Sequence, residues 1–131
     1  MSSKIVIPIA ELVERTSSRN RGKEAFENLL KKLSSLAEKP LDVVLDLSNV
    51  GSITASFLDE LVLRSSDLPS GVEMTFRLRS REDLLKLEKI CAIRQAHCRY
   101  QIGESNPVLR TERKFVPTIN AQEFPGAFFT T

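Results

Sequence analysis

The chain has 131 residues, of which 41% are hydrophobic and 27% charged, and its formal net charge is +2. That length holds one domain with a real core and is too short for two comfortable ones. The near-balanced charge gives no argument for nucleic-acid binding, and no apolar run approaches the roughly 20 residues that span a bilayer.

Cys91 and Cys98 are too few for a disulfide framework. The amino-terminal apolar stretch is interrupted too soon, by Glu11 and Glu14, to read as a secretory signal. A cytoplasmic protein with no membrane contact is therefore the expectation.

In chain order, residues 4–9 place Ile5, Ile7 and Ile9 on one face, as a strand does. Pro8 cannot donate a ladder hydrogen bond, so this strand belongs at an edge or is interrupted there. Residues 10–19 are polar and mixed, a loop or a short second strand. Ser18 or Asn20 is placed to cap the helix that follows. From about 21 to 37, Phe26, Leu29, Leu30, Leu33, Leu36 and Ala37 form an amphipathic stripe. Lys39-Pro40 ends it, because the residue before proline avoids the α region.

Residues 41–47 are the most hydrophobic strand and the expected centre of the sheet. Asp46 near its end must face the sheet rim or accept hydrogen bonds from the following turn. Thr54 or Ser52 caps the next helix, where Phe57, Leu58, Leu61 and Val62 recur at helical spacing. Leu68-Pro69-Ser70-Gly71 closes that unit. Val72, Met74, Phe76 and Leu78 then alternate with Glu73, Thr75, Arg77 and Arg79, a strand with one buried and one wetter face. Ser80 opens a capping-box-like turn, and a helix carries Leu84, Leu87 and Cys91 to about residue 94. Residues 97–102 form a last strand.

The order β-α-β-α-β-α-β predicts one α/β domain over residues 1–103, with a mixed sheet of about four to five strands flanked by helices. Residues 104–131 show no period, yet hold Phe115, Phe124, Phe128 and Phe129. A polar disordered tail has no need of those rings. The segment reads as an arm that wraps its own domain, or one that docks on a partner or a second copy, with plain disorder as the third reading.

The stretch from Leu41 to Val62 reads as a buried strand, a turn and a helix entrance, which is where open α/β sheets tend to meet ligands. It resembles the STAS domain, the fold of bacterial anti-sigma-factor antagonists. Val43-Val44-Leu45-Asp46-Leu47 is similar to that family's central strand, and Ile53-Thr54-Ala55-Ser56-Phe57-Leu58 falls where its Asp-Ser-Ser-Gly-Leu motif stands. Ser56 takes the place of the serine that a kinase partner phosphorylates. Thr54 replaces the motif's Asp, and Phe57 its glycine. The Ser-Phe-Leu-Asp-Glu-Leu wording, with Ser18-Arg19 before the first helix, looks closer still to the bacterial STAS-like group. Members of that group are often encoded beside histidine-kinase-type ATPases.

The resemblance implies a non-enzymatic regulatory domain. It would bind a protein partner, a histidine-kinase-type ATPase or anti-sigma-like kinase, through the rim of residues 48–60. Ser56 is the phosphoacceptor candidate, with Thr54 the second choice and better suited to capping. Ser52, Thr54, Phe57, Leu58 and Arg19 are the candidate partner contacts, Phe57 and Leu58 on condition that they are exposed.

A phosphate adds about −1.5 to −2 charge and is accommodated at a helix amino end. Asp59, three residues on, would repel it by ~1 kcal/mol or more. Arg19 has two readings: a contact for a phosphate or partner carboxylate, or an internal salt bridge, with Asp46 as the suggested acid.

Cys91, His97 and Cys98 lack a fourth soft ligand, so no metal is expected, and no cofactor. His97 stands beside no nucleophile motif and there is no Gly-rich phosphate loop, so an enzyme is not expected. The second functional reading is a structural assembly module that pairs copies through the carboxyl-terminal arm. A small-molecule site in the rim is a third, without a selective feature of its own.

Overall fold

Each predicted helix and strand forms, and each α-helix begins at a polar cap. A computed structural model of the chain describes residues 3–36, 41–104 and 106–111. In order these give β1 (Ser3–Pro8), a 3-10 turn (Ile9–Glu11), α1 (Arg19–Ser34), β2 (Leu41–Asp46), α2 (Ala55–Arg64), a second 3-10 turn (Ser65–Asp67), β3 (Val72–Leu78), α3 (Arg81–Arg94), β4 (Arg99–Ile102) and β5 (Leu109–Arg110). The polar stretch after β1 is thus a 3-10 turn and loop, not a second strand.

The side chains of Ser18, Thr54 and Ser80 accept hydrogen bonds from the backbone N–H groups of Arg21, Phe57 and Asp83. Each thereby satisfies one orphan donor of its helix. Helix α1 stops short of the expected residue 37. The hydroxyls of Ser34 and Ser35 donate to the carbonyls of Lys31 and Lys32 and so occupy acceptors that further helix would have used. Ala37, Lys39 and Pro40 lie outside the described residues.

The five strands lie in the order β1-β2-β3-β4-β5. The first three pairings are parallel and β5 is antiparallel to β4. The architecture is α/β with a mixed sheet. Strand β1, with Pro8, is at an edge as its proline requires. Strand β2 is interior, but β3 is the middle strand, one place away from the expected centre. The arm's first residues form β5, too short a strand to leave a period in the sequence. Phe115, Phe124, Phe128 and Phe129 lie outside the described residues, as do the readings placed on them.

Parallel neighbours joined by crossovers of one hand carry their helices on one side. Helix α1 packs on α2, and α2 on α3. Ile5, Ile7, Val43, Leu45, Met74, Phe76 and Tyr100 point into this layer and make one core with Phe26, Leu29, Phe57, Leu61 and Leu87. Helices α1 and α2 meet closely at Gly22, where a Cβ would lie 2.8 Å from the Phe57 carbonyl oxygen.

The other sheet face carries Asp42, Glu73, Val44, Thr75, Arg99, Asp46, Arg77 and Gln101 in register. Thr75 and Arg77, expected on a wetter face, are buried. The Arg99 guanidinium reaches Glu73 and comes within 3.7 Å of Asp42, so its side chain crosses β3. Arg77 donates from Nε to the Gln101 amide oxygen at 3.2 Å, and its Nη1 lies 3.6 Å from Asp46. Long polar side chains thus shield the middle of this face.

Candidate functional site

The turn between β2 and α2 is held at both ends. Asp46 closes the strand by accepting hydrogen bonds from the Ser48 backbone N–H at 2.9 Å and the Ser48 hydroxyl at 2.6 Å. This is the Asx-type capping that a carboxylate at a strand end calls for. Thr54 closes the other end as the cap of α2.

Between them, side chains from three other parts of the chain hold the turn's carbonyls. The Arg79 guanidinium donates to the carbonyls of Val50, at 3.1 Å, and Gly51. Lys86 Nζ donates to Ile53 at 2.8 Å, and the Thr16 hydroxyl to Ser52. The Thr16 carbonyl accepts from the Thr54 N–H at 3.1 Å. The rim is therefore pre-organised rather than a free loop.

Ser52, Ala55 and Ser56 are exposed on this rim and Thr54 is half-buried. With Thr54 as cap, Ser56 is the second residue of α2, its hydroxyl at the positive end of the helix dipole. Phe57 and Leu58 do not share that exposure. Both are 0% exposed, and the sequence reading that made them partner contacts is corrected. They pack with Leu61 and Val62 in the core between α2 and the sheet. A partner would have to open the core to touch them.

Arg19 forms an internal salt bridge, but not with Asp46. Its Nη1 lies 2.9 Å from Asp59 and 3.3 Å from Glu60, while Asp46 belongs to the opposite sheet face with Arg77. Asp59 is gripped from a second side by Arg94, Nε to Oδ1 and Nη2 to Oδ2, each at 2.8 Å. These two bonds, and then the Arg19 contact, outweigh partial burial and hold the Asp59 carboxyl down at about 2. Burial pushes the Glu60 carboxyl up, but bonds from Arg64, at 2.6 Å, and from Arg19 overcome it and leave it below the ordinary carboxylate value.

Arg94, Asp59 and Arg19 thereby tie α3, α2 and the start of α1 into one ionic seam. Beside the seam lies an open groove of about 390 Å³ lined by Arg19, Ser56, Asp59, Lys86, Lys89 and Arg94, with apolar floor and lip from Ala55, Ile90 and Ile93. Ile93 is 75% exposed. Four cations face one carboxylate, so the Asp59 charge that would oppose an anion on Ser56 is already matched by two arginines.

Sequence reasoning placed Ser56 and Arg19 here but missed Thr16, Arg79, Lys86, Ile93 and Arg94. The signal that could have found Ile93 is its position off the apolar stripe of α3, where a large aliphatic side chain has no core to enter. The cations carried no comparable signal, because every helix has charges on its wet face.

Away from the rim, Cys91 and Cys98 are buried with their sulfurs 3.1 Å apart. His97 Nδ1 lies 3.1 Å from the Thr111 carbonyl oxygen. Among the described residues, no group of three or more His, Cys, Asp or Glu side chains is arranged to hold a metal ion, and no helix is long and apolar enough to cross a membrane. No family model, curated protein or solved structure matches the chain.

Proposed function

We propose that the chain is a non-enzymatic regulatory domain of the STAS-like kind, working in the cytoplasm and binding a protein partner through the rim of residues 48–56 and the groove beside it. The partner is a kinase-type ATPase, and phosphorylation of Ser56 is the switch. One observation carries this reading: an accessible hydroxyl in the first turn of a helix, on a clamped loop, at the edge of a groove with excess positive charge and an exposed isoleucine.

The lining defines what fits. A partner segment would bring carboxylates to Lys86, Lys89 and the arginines, and an apolar side chain to Ile93. A phosphate on Ser56 would cancel about two of the groove's three net positive charges. That weakens attraction for an acidic partner, and a loss of ~3 kcal/mol is a hundredfold in affinity.

The test is titration of the chain with a kinase-type ATPase from the same genome, with mass spectrometry after addition of ATP. Phosphate on Ser56 is expected, together with at least a tenfold loss of affinity in Ser56→Glu and in Ile93→Asp. Unchanged affinity in both variants would remove the rim as the docking surface.

A further inference from the structure

We infer that Cys91 and Cys98 form a modification site, a buried dithiol that small peroxides convert to an intramolecular disulfide pinning the last turn of α3 to β4. The geometry carries it. Cys91 sits in the last turn of α3 and Cys98 just ahead of β4, and the reversal between them runs through Gln95 in the left-handed region at φ 53°. This brings the sulfurs to 3.1 Å. A disulfide needs about 2.05 Å, so the bond requires the two sulfurs to approach by about 1 Å.

The corner is braced from outside. Thr111 Oγ1 accepts the Cys98 N–H at 2.9 Å, and the Thr111 N–H donates to the Cys98 carbonyl at 2.9 Å. An open cavity of about 210 Å³, lined by Cys98 with Phe76, His97 and Arg99, reaches the Cys98 side of the pair. It has room for a peroxide, and Cys98 is the sulfur that a peroxide meets. The thiol–thiol contact pulls the Cys91 thiol below its ordinary value and, with burial, pushes that of Cys98 up.

The step balances with hydrogen peroxide as the oxidant. One sulfur of the pair attacks one peroxide oxygen; an S–O bond forms, the O–O bond breaks, and the departing hydroxide leaves as water with that thiol's proton. The other sulfur then attacks the sulfenic sulfur; the S–S bond forms, the S–O bond breaks, and a second water leaves with the remaining proton. Two thiols are oxidised by two electrons and one peroxide is reduced to two waters.

The experiment uses the full chain, reduced and freed of reductant. It is exposed to a small molar excess of hydrogen peroxide, alkylated with iodoacetamide under denaturing conditions, and weighed before and after proteolysis. The expected product is a monomer lighter by two hydrogen atoms that takes up no alkyl group, with the Cys91 and Cys98 peptides linked and dithiothreitol restoring both thiols. In Cys91→Ser the expected product is Cys98 carrying added oxygen. Two alkylated cysteines after peroxide, oxygen added to the unsubstituted chain without linkage, or linkage between chains would each overturn the assignment. The unsubstituted chain decides the matter by itself should the variant fail to fold.

Discussion

Asp59 is the residue whose ionisation matters most to the rim. Its carboxyl is held at about 2 against an ordinary 3.8, so the stabilisation it gives is full above the unfolded value and is lost as pH falls through about 2. With screening by half-exposed arginines the effect is on the order of 1–2 kcal/mol. Denaturant unfolding of the native chain and of Asp59→Asn should differ by that amount at pH 7, and the two should converge between about pH 4 and pH 2. Thr54 acts on the same turn through one bond to the Phe57 N–H. Thr54→Ala should cost about 1 kcal/mol, read as a lower urea midpoint. Phe57 is a core residue, and Phe57→Ala should cost about 3–5 kcal/mol. Lost binding in that variant would report unfolding and not a contact, which is why Ile93→Asp is the better probe of the surface.

Among the elements, the close approach of α1 to α2 depends on Gly22. A Cβ at this position meets the Phe57 carbonyl at 2.8 Å and the Glu60 Cβ at 2.9 Å. A backbone oxygen cannot yield as a flexible side chain would. Alanine gains about 1 kcal/mol of helix propensity but forces the helices apart at an overpacking cost of typically 1–3 kcal/mol. Gly22→Ala should therefore destabilise, seen as a lower thermal midpoint. It should also disturb the ion pairs between Arg19 and α2, since Arg19 lies on the same end of α1. The three helices were legible because their stripes and caps are local: Ser18, Thr54 and Ser80 each act on a backbone group three residues away. The end of α1 was misplaced because Ser34 and Ser35 compete for carbonyls in a way that apolar periodicity does not register.

On the scale of the whole molecule, one sheet face is sealed by three helices and the other is shielded by arginines lying across it. Buried Arg77 depends on Asp46 and Gln101 for compensation. Removing one partner of a buried pair strands the other charge, at roughly 3–5 kcal/mol, whereas replacing both by apolar groups is often neutral. Asp46→Ala should thus destabilise more than the double variant Asp46→Ala, Arg77→Met, as measured by urea unfolding. The same architecture brings the rim and the thiol corner to different parts of α3. Its wet face lines the groove through Lys86, Lys89 and Ile93, and its buried face carries Cys91 to Cys98.

The element order, the caps and the position of Ser56 in a first helical turn followed from the sequence, because hydrophobic period and capping act over three or four residues. The tertiary structure alone decided that Phe57 and Leu58 face inward, that Arg19 meets Asp59 and not Asp46, and that two cysteines seven residues apart touch. Those outcomes turn on how α2 rotates against the sheet and where the chain reverses at Gln95. Both are set by packing among residues far apart in the chain, which local spacing does not encode.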